Sequence, residues 1–128
     1  MKKEIRPDNI AAPAANYAHA ILTTKESQWL HTSGVVPIAQ DGSTPINFDA
    51  QLKVIWQNIR VMLETAAMKP SDIVSVTTYV VPDQDLQMLM KHRDFALDHH
   101  KAASTLVIVA SLAKPEWLVE ISVVAAGH

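Results

Sequence analysis

Residues 104–125 read STLVIVASLAKPEWLVEISVVA and contain two apolar runs separated by the segment AKPE. Both runs are rich in β-branched residues and the break between them holds a proline, so the pattern predicts two strands, over about 104–112 and 117–125. Side chains alternate between the two faces of a strand. One face of the second strand is therefore apolar, and it carries Trp117, Val119, Ile121, Val123 and Ala125. Glu120 points to the opposite face.

Glu120 is the last carboxylate side chain of the sequence and lies in its most apolar stretch. A carboxylate held among apolar neighbours is a candidate general acid or base. The alternative is a structural glutamate that reaches bulk water or pairs with a lysine across an interface. The spacing alone leaves both interpretations open.

The sequence upstream of these strands predicts two helices and three further strands. The segments AILTT and SQWLHTSGVVPI, separated by KES, predict a β-hairpin near residues 19–38. Asn47 is a plausible N-cap for a helix over FDAQLKVIWQNIRVMLETAA, and DIVSVTTYVV alternates as a strand does. PDQDLQMLMKHRDFALDHH predicts a second helix opened by Pro82 and Asp83. The predicted order β-β-α-β-α-β-β gives an α+β fold with two helices on one face of a mixed sheet.

The opposite face of that sheet has no helix to cover it. The strand from Ser104 is apolar on both sides, with Leu106 and Ile108 on one side and Val107 and Val109 on the other. Soluble monomers rarely expose an apolar patch of several hundred Å². We therefore expect a subunit interface on this face, the alternative being a loop that folds over it.

Composition restricts the function further. A chain of 128 residues, 48% hydrophobic and 19% charged, is expected to form a single domain over 1–128. It has no cysteine, which excludes a disulfide framework, a Cys-ligated zinc and a thiol nucleophile. Its net charge of −2 makes nucleic acid a poor candidate partner. No signal sequence or long apolar segment is evident, so we expect a soluble, cytoplasmic protein without a membrane partner.

The histidines give no motif for a metal site. His99 and His100 are adjacent, so they do not share one face of a helix, and we expect them at a solvated helix end rather than on a metal.

Three segments carry a resemblance to a known family. HTSGVVPI, MKPSDIVSVTTYVV and ASLAKPEWLVEISVVA, in this order and spacing, resemble the reactive-intermediate deaminase (Rid) family, formerly called YjgF. The resemblance extends over nearly the whole chain. It implies a chorismate-mutase-like α+β fold that assembles as a homotrimer, with the sheets around a central barrel and small-molecule ligands in clefts between subunits.

The same resemblance implies a chemistry and a set of site residues. Rid deaminases hydrolyse enamines and imines such as 2-aminoacrylate to a keto acid and ammonia, with no metal or organic cofactor. Carried over to this sequence, Glu120 positions or activates water, and Ser33, next to Gly34, forms a hydrogen bond with the ligand. Tyr17 helps to close the cleft from the adjoining subunit.

Ser104 departs from the pattern of the best-known deaminases, in which an arginine at this point holds the substrate carboxylate. A serine hydroxyl cannot replace a bidentate guanidinium. Either Lys101 or another cation binds the acid, or the ligand is not a simple 2-imino acid, and we favour the second reading.

Three functional classes follow. The favoured one is an imine or enamine hydrolase whose substrate range is altered at Ser104. The others are a non-catalytic trimer that binds small metabolites and, less favoured because of the acidic charge balance, an endoribonuclease or translation inhibitor.

Overall fold

The computed structural model describes residues 1–128, which form two helices and two β-sheets. The strands are β1 (Lys2–Ile5), β2 (Ala20–Thr23), β3 (Gln28–His31), β4 (Ile73–Val80), β5 (Ala103–Ile108) and β6 (Val119–Gly127). The helices are α1 (Phe48–Thr65) and α2 (Leu86–Ala96), and a 3₁₀ turn spans Pro70–Asp72. Strands β1 and β2 pair alone, whereas the other four form a mixed sheet in the order β3-β6-β4-β5. The predicted α+β class with two helices is confirmed.

Helix α1 begins where the sequence predicts. The Oδ1 atom of Asn47 accepts a hydrogen bond from the backbone N–H of Ala50 at 2.8 Å and caps the helix. Its buried face packs on the four-stranded sheet and, with β4 and β6, forms most of the hydrophobic core. That face carries Leu52, Ile55, Ile59 and Leu63, each at most 2% exposed.

Helix α2 begins later than the sequence predicts, at Leu86 rather than at Pro82. Asp83 has a φ of 68°, which lies in the left-handed region and excludes it from the helix. Asp85 is the N-cap instead, because its Oδ1 accepts a hydrogen bond from Met88 N at 3.1 Å.

The predicted solvated helix end is wrong for His100. Its Nδ1 lies 2.6 Å from the carbonyl oxygen of Leu97, and its Nε2 lies 2.8 Å from that of Ile73. The imidazole is part-buried and joins the end of α2 to the start of β4, whereas His99 is exposed.

The predicted hairpin near residues 19–38 is also wrong. Strand β2 pairs antiparallel with β1, and β3 pairs antiparallel with β6. Because β1 is a short, charged segment, KKEI, the sequence gives no apolar alternation to reveal it. The observed order is therefore β-β-β-α-β-α-β-β.

The two faces of the four-stranded sheet differ as the alternation in β6 predicts. Val119, Ile121, Val123 and Ala125 are all buried in the core on the helical side, and Trp117, just before the strand, is also buried. Glu120 is half-buried on the opposite face, which we call the outer face, and its register partner on β4 is Tyr79. The same outer face carries Ser75, Thr77 and Tyr79 of β4. Ile73, two residues before Ser75, would lie there too in a regular strand, but the register of β4 shifts between Ile73 and Ser75 and Ile73 is buried in the core.

Strand β5 lies at an edge of the sheet that is unpaired except for a bridge from Ala18 to Ala103, and it ends at Ile108, earlier than the predicted 112. Leu106, Val107 and Ile108 are 37%, 38% and 58% exposed. Apolar side chains beside an unpaired strand edge are the surface that association would cover. Of these three residues only Val107 lies on the outer face, where the neighbouring strands carry serine and threonine, so that face is more polar than the sequence of β5 suggests. No helix has the length and apolar character needed to cross a membrane.

Candidate functional site

The backbone of Gly34 lies directly against the carboxylate of Glu120. A Cβ atom built on Gly34 would lie 1.9 Å from Oε2 and 2.6 Å from Cδ of Glu120. Both distances are far inside van der Waals contact, so only glycine fits at position 34 while the carboxylate stays in place. Glu120 takes part in none of the ion pairs of the protomer.

The loop that carries Ser33 and Gly34 is held to β6 on both sides. Before it, Thr32 N donates to Val123 O at 3.1 Å, and Thr32 Oγ1 accepts from Val123 N at 3.0 Å. After it, Val35 N donates to Ile121 O at 2.7 Å and Ile121 N returns a bond of 3.1 Å. The N–H groups of Ser33 and Gly34 themselves donate to no backbone carbonyl.

We refer to Ser33, Gly34 and Glu120 as the glutamate half-site. It combines an unpaired carboxylate, an exposed hydroxyl and two backbone N–H groups without a carbonyl partner. These groups can accept a proton and donate hydrogen bonds at one place.

Gln51 of α1 fixes the start of the strand that bears Glu120. Its buried Nε2 donates to Pro45 O and to Glu116 O, both at 2.8 Å, and its Oε1 accepts from Leu118 N at 2.9 Å. The side-chain amide of Gln51 is thus fully hydrogen-bonded and holds the segment that leads into β6. The helical periodicity gives no indication of this role, because a glutamine on a helix is usually exposed.

The other two predicted site residues lie elsewhere, near the start of β5. Tyr17 precedes Ala18, which is bridged to β5 by a hydrogen bond from Ala18 N to Ala102 O at 3.0 Å. Ser104 follows in β5, and its Oγ lies 3.4 Å from Nη1 of Arg93 on α2. We refer to Tyr17, Arg93 and Ser104 as the arginine half-site.

Arg93 is a residue that the sequence reasoning missed. In sequence it is one of several charged residues of α2, yet the residue as a whole is only 7% exposed and is the one charged residue in the buried class. Lys101, the cation named from the sequence, is exposed.

The two half-sites lie on opposite faces of the sheet within one protomer. Glu120 pairs with Tyr79 on the outer face, whereas Ser104 pairs with Val76, which is in the core on the helical side. A single copy therefore does not bring Glu120 and Ser104 together.

Neither of the two main surface cavities contains the whole set of predicted residues. The larger, about 490 Å³, lies between α1 and α2 and is lined by Trp56 and Phe95 among others. The second, about 440 Å³, runs along residues 30–38 and includes Ser33 and Gly34 but not Glu120. No group of three His, Asp or Glu side chains is arranged to hold a metal ion.

One carboxylate near the larger cavity, that of Asp49, has a lowered pKa. Asp49 lies 2.7 Å from Nε2 of His92 and 3.0 Å from Nζ of Lys53. The hydrogen bond from His92, and then that from Lys53, hold the pKa of Asp49 below its ordinary value of 3.8.

Comparison with known proteins gives one family. The family model described as Endoribonuclease L-PSP matches residues 8–127. A RutC family protein of Pyrococcus horikoshii is 28% identical over 127 residues, which are 98% of each chain.

Solved structures give the same fold. A Rid family protein of unknown function from Yersinia pestis, YyfB, superposes with a TM-score of 0.84 at 26% identity, covering 98% of both chains. Escherichia coli TdcF, solved with bound serine, superposes with a TM-score of 0.72 at 21% identity over 98% of this chain and 99% of its own. The chain therefore belongs to the Endoribonuclease L-PSP family, and the solved structures that it resembles include Rid proteins.

Proposed function

We propose that this protein is a Rid-type hydrolase that converts reactive imines and enamines to carbonyl compounds and ammonia. The observation that carries the proposal is the position of Glu120, whose carboxylate is unpaired and pressed against the Gly34 backbone. A carboxylate with no cation partner in the protomer, next to free hydrogen-bond donors, suits proton transfer rather than structural support. Membership of a family with Rid relatives supports the same chemistry.

The proposed reaction needs only proton transfers and water. Glu120 accepts a proton from a water molecule while the water oxygen attacks the carbon of the protonated imine, and a neutral carbinolamine forms. The proton then passes from Glu120 to the amine nitrogen, the C–N bond breaks and ammonia leaves. The remaining hydroxyl loses its proton to give the carbonyl product. An enamine joins this sequence after protonation at carbon converts it to the protonated imine.

In this proposal, Ser33 and the backbone of Gly34 bind and orient the substrate for Glu120. The Ser33 hydroxyl and the two N–H groups of the glutamate half-site donate hydrogen bonds to the substrate and to the developing hydroxyl. Because β6 holds the loop on both sides, these donors need little reorganisation when a ligand arrives.

A complete site requires more than one copy of the chain in this proposal. The glutamate and arginine half-sites lie on opposite faces of one sheet, so a cleft that uses both forms only between neighbouring subunits. The exposed apolar edge at β5 supports such an interface. We propose a homotrimer, as the resemblance to Rid proteins implies.

Two other functions are alternatives to this proposal, and each is an outcome of the test described below. A non-catalytic metabolite-binding trimer would use the same cleft without turnover. An endoribonuclease would need to attract a polyanion, and both the glutamate half-site and the net charge of −2 disfavour it.

The proposal is tested with imines made in situ by an amino-acid oxidase, with catalase present to remove peroxide. Semicarbazide traps the free imine, so a hydrolase lowers the yield of semicarbazone and raises that of the keto acid. Glu120→Gln is the matched control protein. Equal semicarbazone yields with the wild type, with the variant and without protein would contradict the proposal.

A further inference from the structure

The larger cavity, between α1 and α2, is separate from the cleft proposed for catalysis. Its floor is apolar, because Ile59 and Leu63 of α1 and Ile73 of β4 line it and belong to the hydrophobic core. That core lies on the helical side of the sheet, whereas Glu120 lies on the outer face. An interface on the outer face would therefore leave the cavity accessible. Its volume of about 490 Å³ is within the range of small-molecule sites, about 300–1,000 Å³.

Two aromatic residues that line the cavity have unused contact capacity. Phe95 of α2 is 75% exposed, so most of its ring has no apolar partner within the protein. Trp56 of α1 is only 8% exposed, yet its buried Nε1–H has no hydrogen-bond acceptor in the protein. An aromatic or branched apolar group bound here would cover the Phe95 ring, and an oxygen of the same molecule could accept from the indole through a water molecule.

Positive charge predominates among the residues that line this cavity, although the chain as a whole has a net charge of −2. Three of the lining residues, Lys53, Arg60 and Lys91, are lysine or arginine, against one carboxylate, Asp98. Lys53 is already paired with Asp49 at 3.0 Å. Arg60 has only an exposed ion pair of 3.8 Å within its helix, and Lys91 has none. One weakly paired cation on each helix is thus available to an anion.

We propose that this cavity binds a small organic anion with an aromatic or branched apolar body. The body would pack against Trp56 and Phe95, and the anionic group would lie near Arg60 and Lys91. A second copy of the chain is a poor occupant, because two identical faces in contact would bring their cations together. The volume suits one small molecule rather than a docked helix, whose anchor residues extend over several turns.

Two fluorescent probes with one aromatic skeleton test the proposal. Anilinonaphthalene sulfonate carries a sulfonate and phenylnaphthylamine lacks it, and each is titrated into the assembled wild type and variants. Lys91→Gln should weaken binding of the sulfonate about two- to fivefold, the effect of one exposed charge pair, and should leave the neutral probe unchanged. Adding Arg60→Gln should enlarge that loss. Phe95→Ala should weaken both probes, because it removes apolar contact rather than charge.

The matched control is Lys3→Gln, at an exposed lysine of β1 outside the cavity, which should change neither probe. Because Lys91, Arg60 and Phe95 are all exposed, the variants should fold as the wild type does, and circular dichroism checks this. None of them belongs to either half-site, so imine hydrolysis by the variants is a separate readout and its failure in the wild type would leave this inference standing.

Three results would overturn the proposal. The first is sulfonate binding that is unchanged when both cations are replaced, since the charge would then have no role. The second is binding of both probes that is unchanged in Phe95→Ala, because the probes would then occupy another surface. The third is a wild-type assembly of twice the expected mass that Phe95→Ala halves in light scattering, which would make a second copy the occupant of this face.

Discussion

Oε2 of Glu120 occupies the space in which any side chain at position 34 would begin, 1.9 Å from the ideal Cβ position of Gly34. The two residues come from segments far apart in sequence and are brought together because the loop after β3 is bonded to β6. Because of this contact, the carboxylate of Glu120 can hold its position only if residue 34 is glycine.

Gly34→Ala should therefore impair activity without unfolding the protein. The new methyl group meets the flexible end of Glu120 rather than backbone, so the carboxylate moves and the fold survives. We expect imine hydrolysis to fall by about 10²-fold, the cost typical of a misplacement of about 1 Å. Gly42→Ala is the control, since a Cβ there meets open space, although its φ of 89° adds some backbone strain. Full activity in Gly34→Ala would mean that the position of Glu120 is unimportant.

Val107→Arg should prevent assembly. Val107 lies on the outer face at the β5 edge, and a charge placed there would be buried without a partner in an interface. Light scattering should give about 42 kDa for the wild type, three chains of 14.1 kDa, and a smaller or unfolded species for the variant. Val61→Arg, at an exposed valine of α1, should assemble normally. A wild type that is monomeric at micromolar concentration would remove the argument for a composite cleft.

Gln51→Leu should destabilise the protein and disturb the start of β6. The change leaves Pro45 O, Glu116 O and Leu118 N without their partner inside the structure. Each unsatisfied buried group costs about 1–3 kcal/mol, so we expect the free energy of unfolding to fall by at least that amount. Urea denaturation at fixed protein concentration measures it, with the exposed Gln57→Leu as the comparison. Equal stability of the two variants would show that the amide bonds contribute little.

Asp49 should contribute to stability at neutral pH and lose that contribution in acid. The hydrogen bonds from His92 and Lys53 lower its pKa in the folded state, so the unfolded chain takes up a proton first as the pH falls. The contribution is present above the ordinary pKa of 3.8 and disappears as the pH falls through the lower, folded value. Asp49→Asn should be less stable than the wild type at neutral pH, and the difference should shrink below about pH 4.

The control for this comparison is Asp8→Asn, at an exposed carboxylate outside every ion pair. The stability of Asp8→Asn should follow that of the wild type at every pH. If Asp49→Asn also follows that profile, the contact with His92 has no effect on stability.

Local patterns were sufficient to predict α1 and the two faces of β6. The N-cap at Asn47 and the apolar alternation around Glu120 depend only on neighbouring residues, and both are confirmed. The partner of β3 depends on a segment some ninety residues away, so the order of elements suggested a hairpin that does not form. The burial of Arg93 likewise depends on Asn16 and Ser104 meeting α2, and nothing within the α2 sequence indicates it.

Imine hydrolysis by Glu120→Gln is the measurement that tests the central claim most directly. Glutamine keeps the shape of the side chain but cannot accept the proton from water, so the fold and the assembly should remain. Turnover of imines should fall by about 10² to 10⁴-fold, the range typical of a lost general acid or base. If the assembled variant retains full turnover on every imine that the wild type accepts, Glu120 is structural and the account of catalysis is wrong.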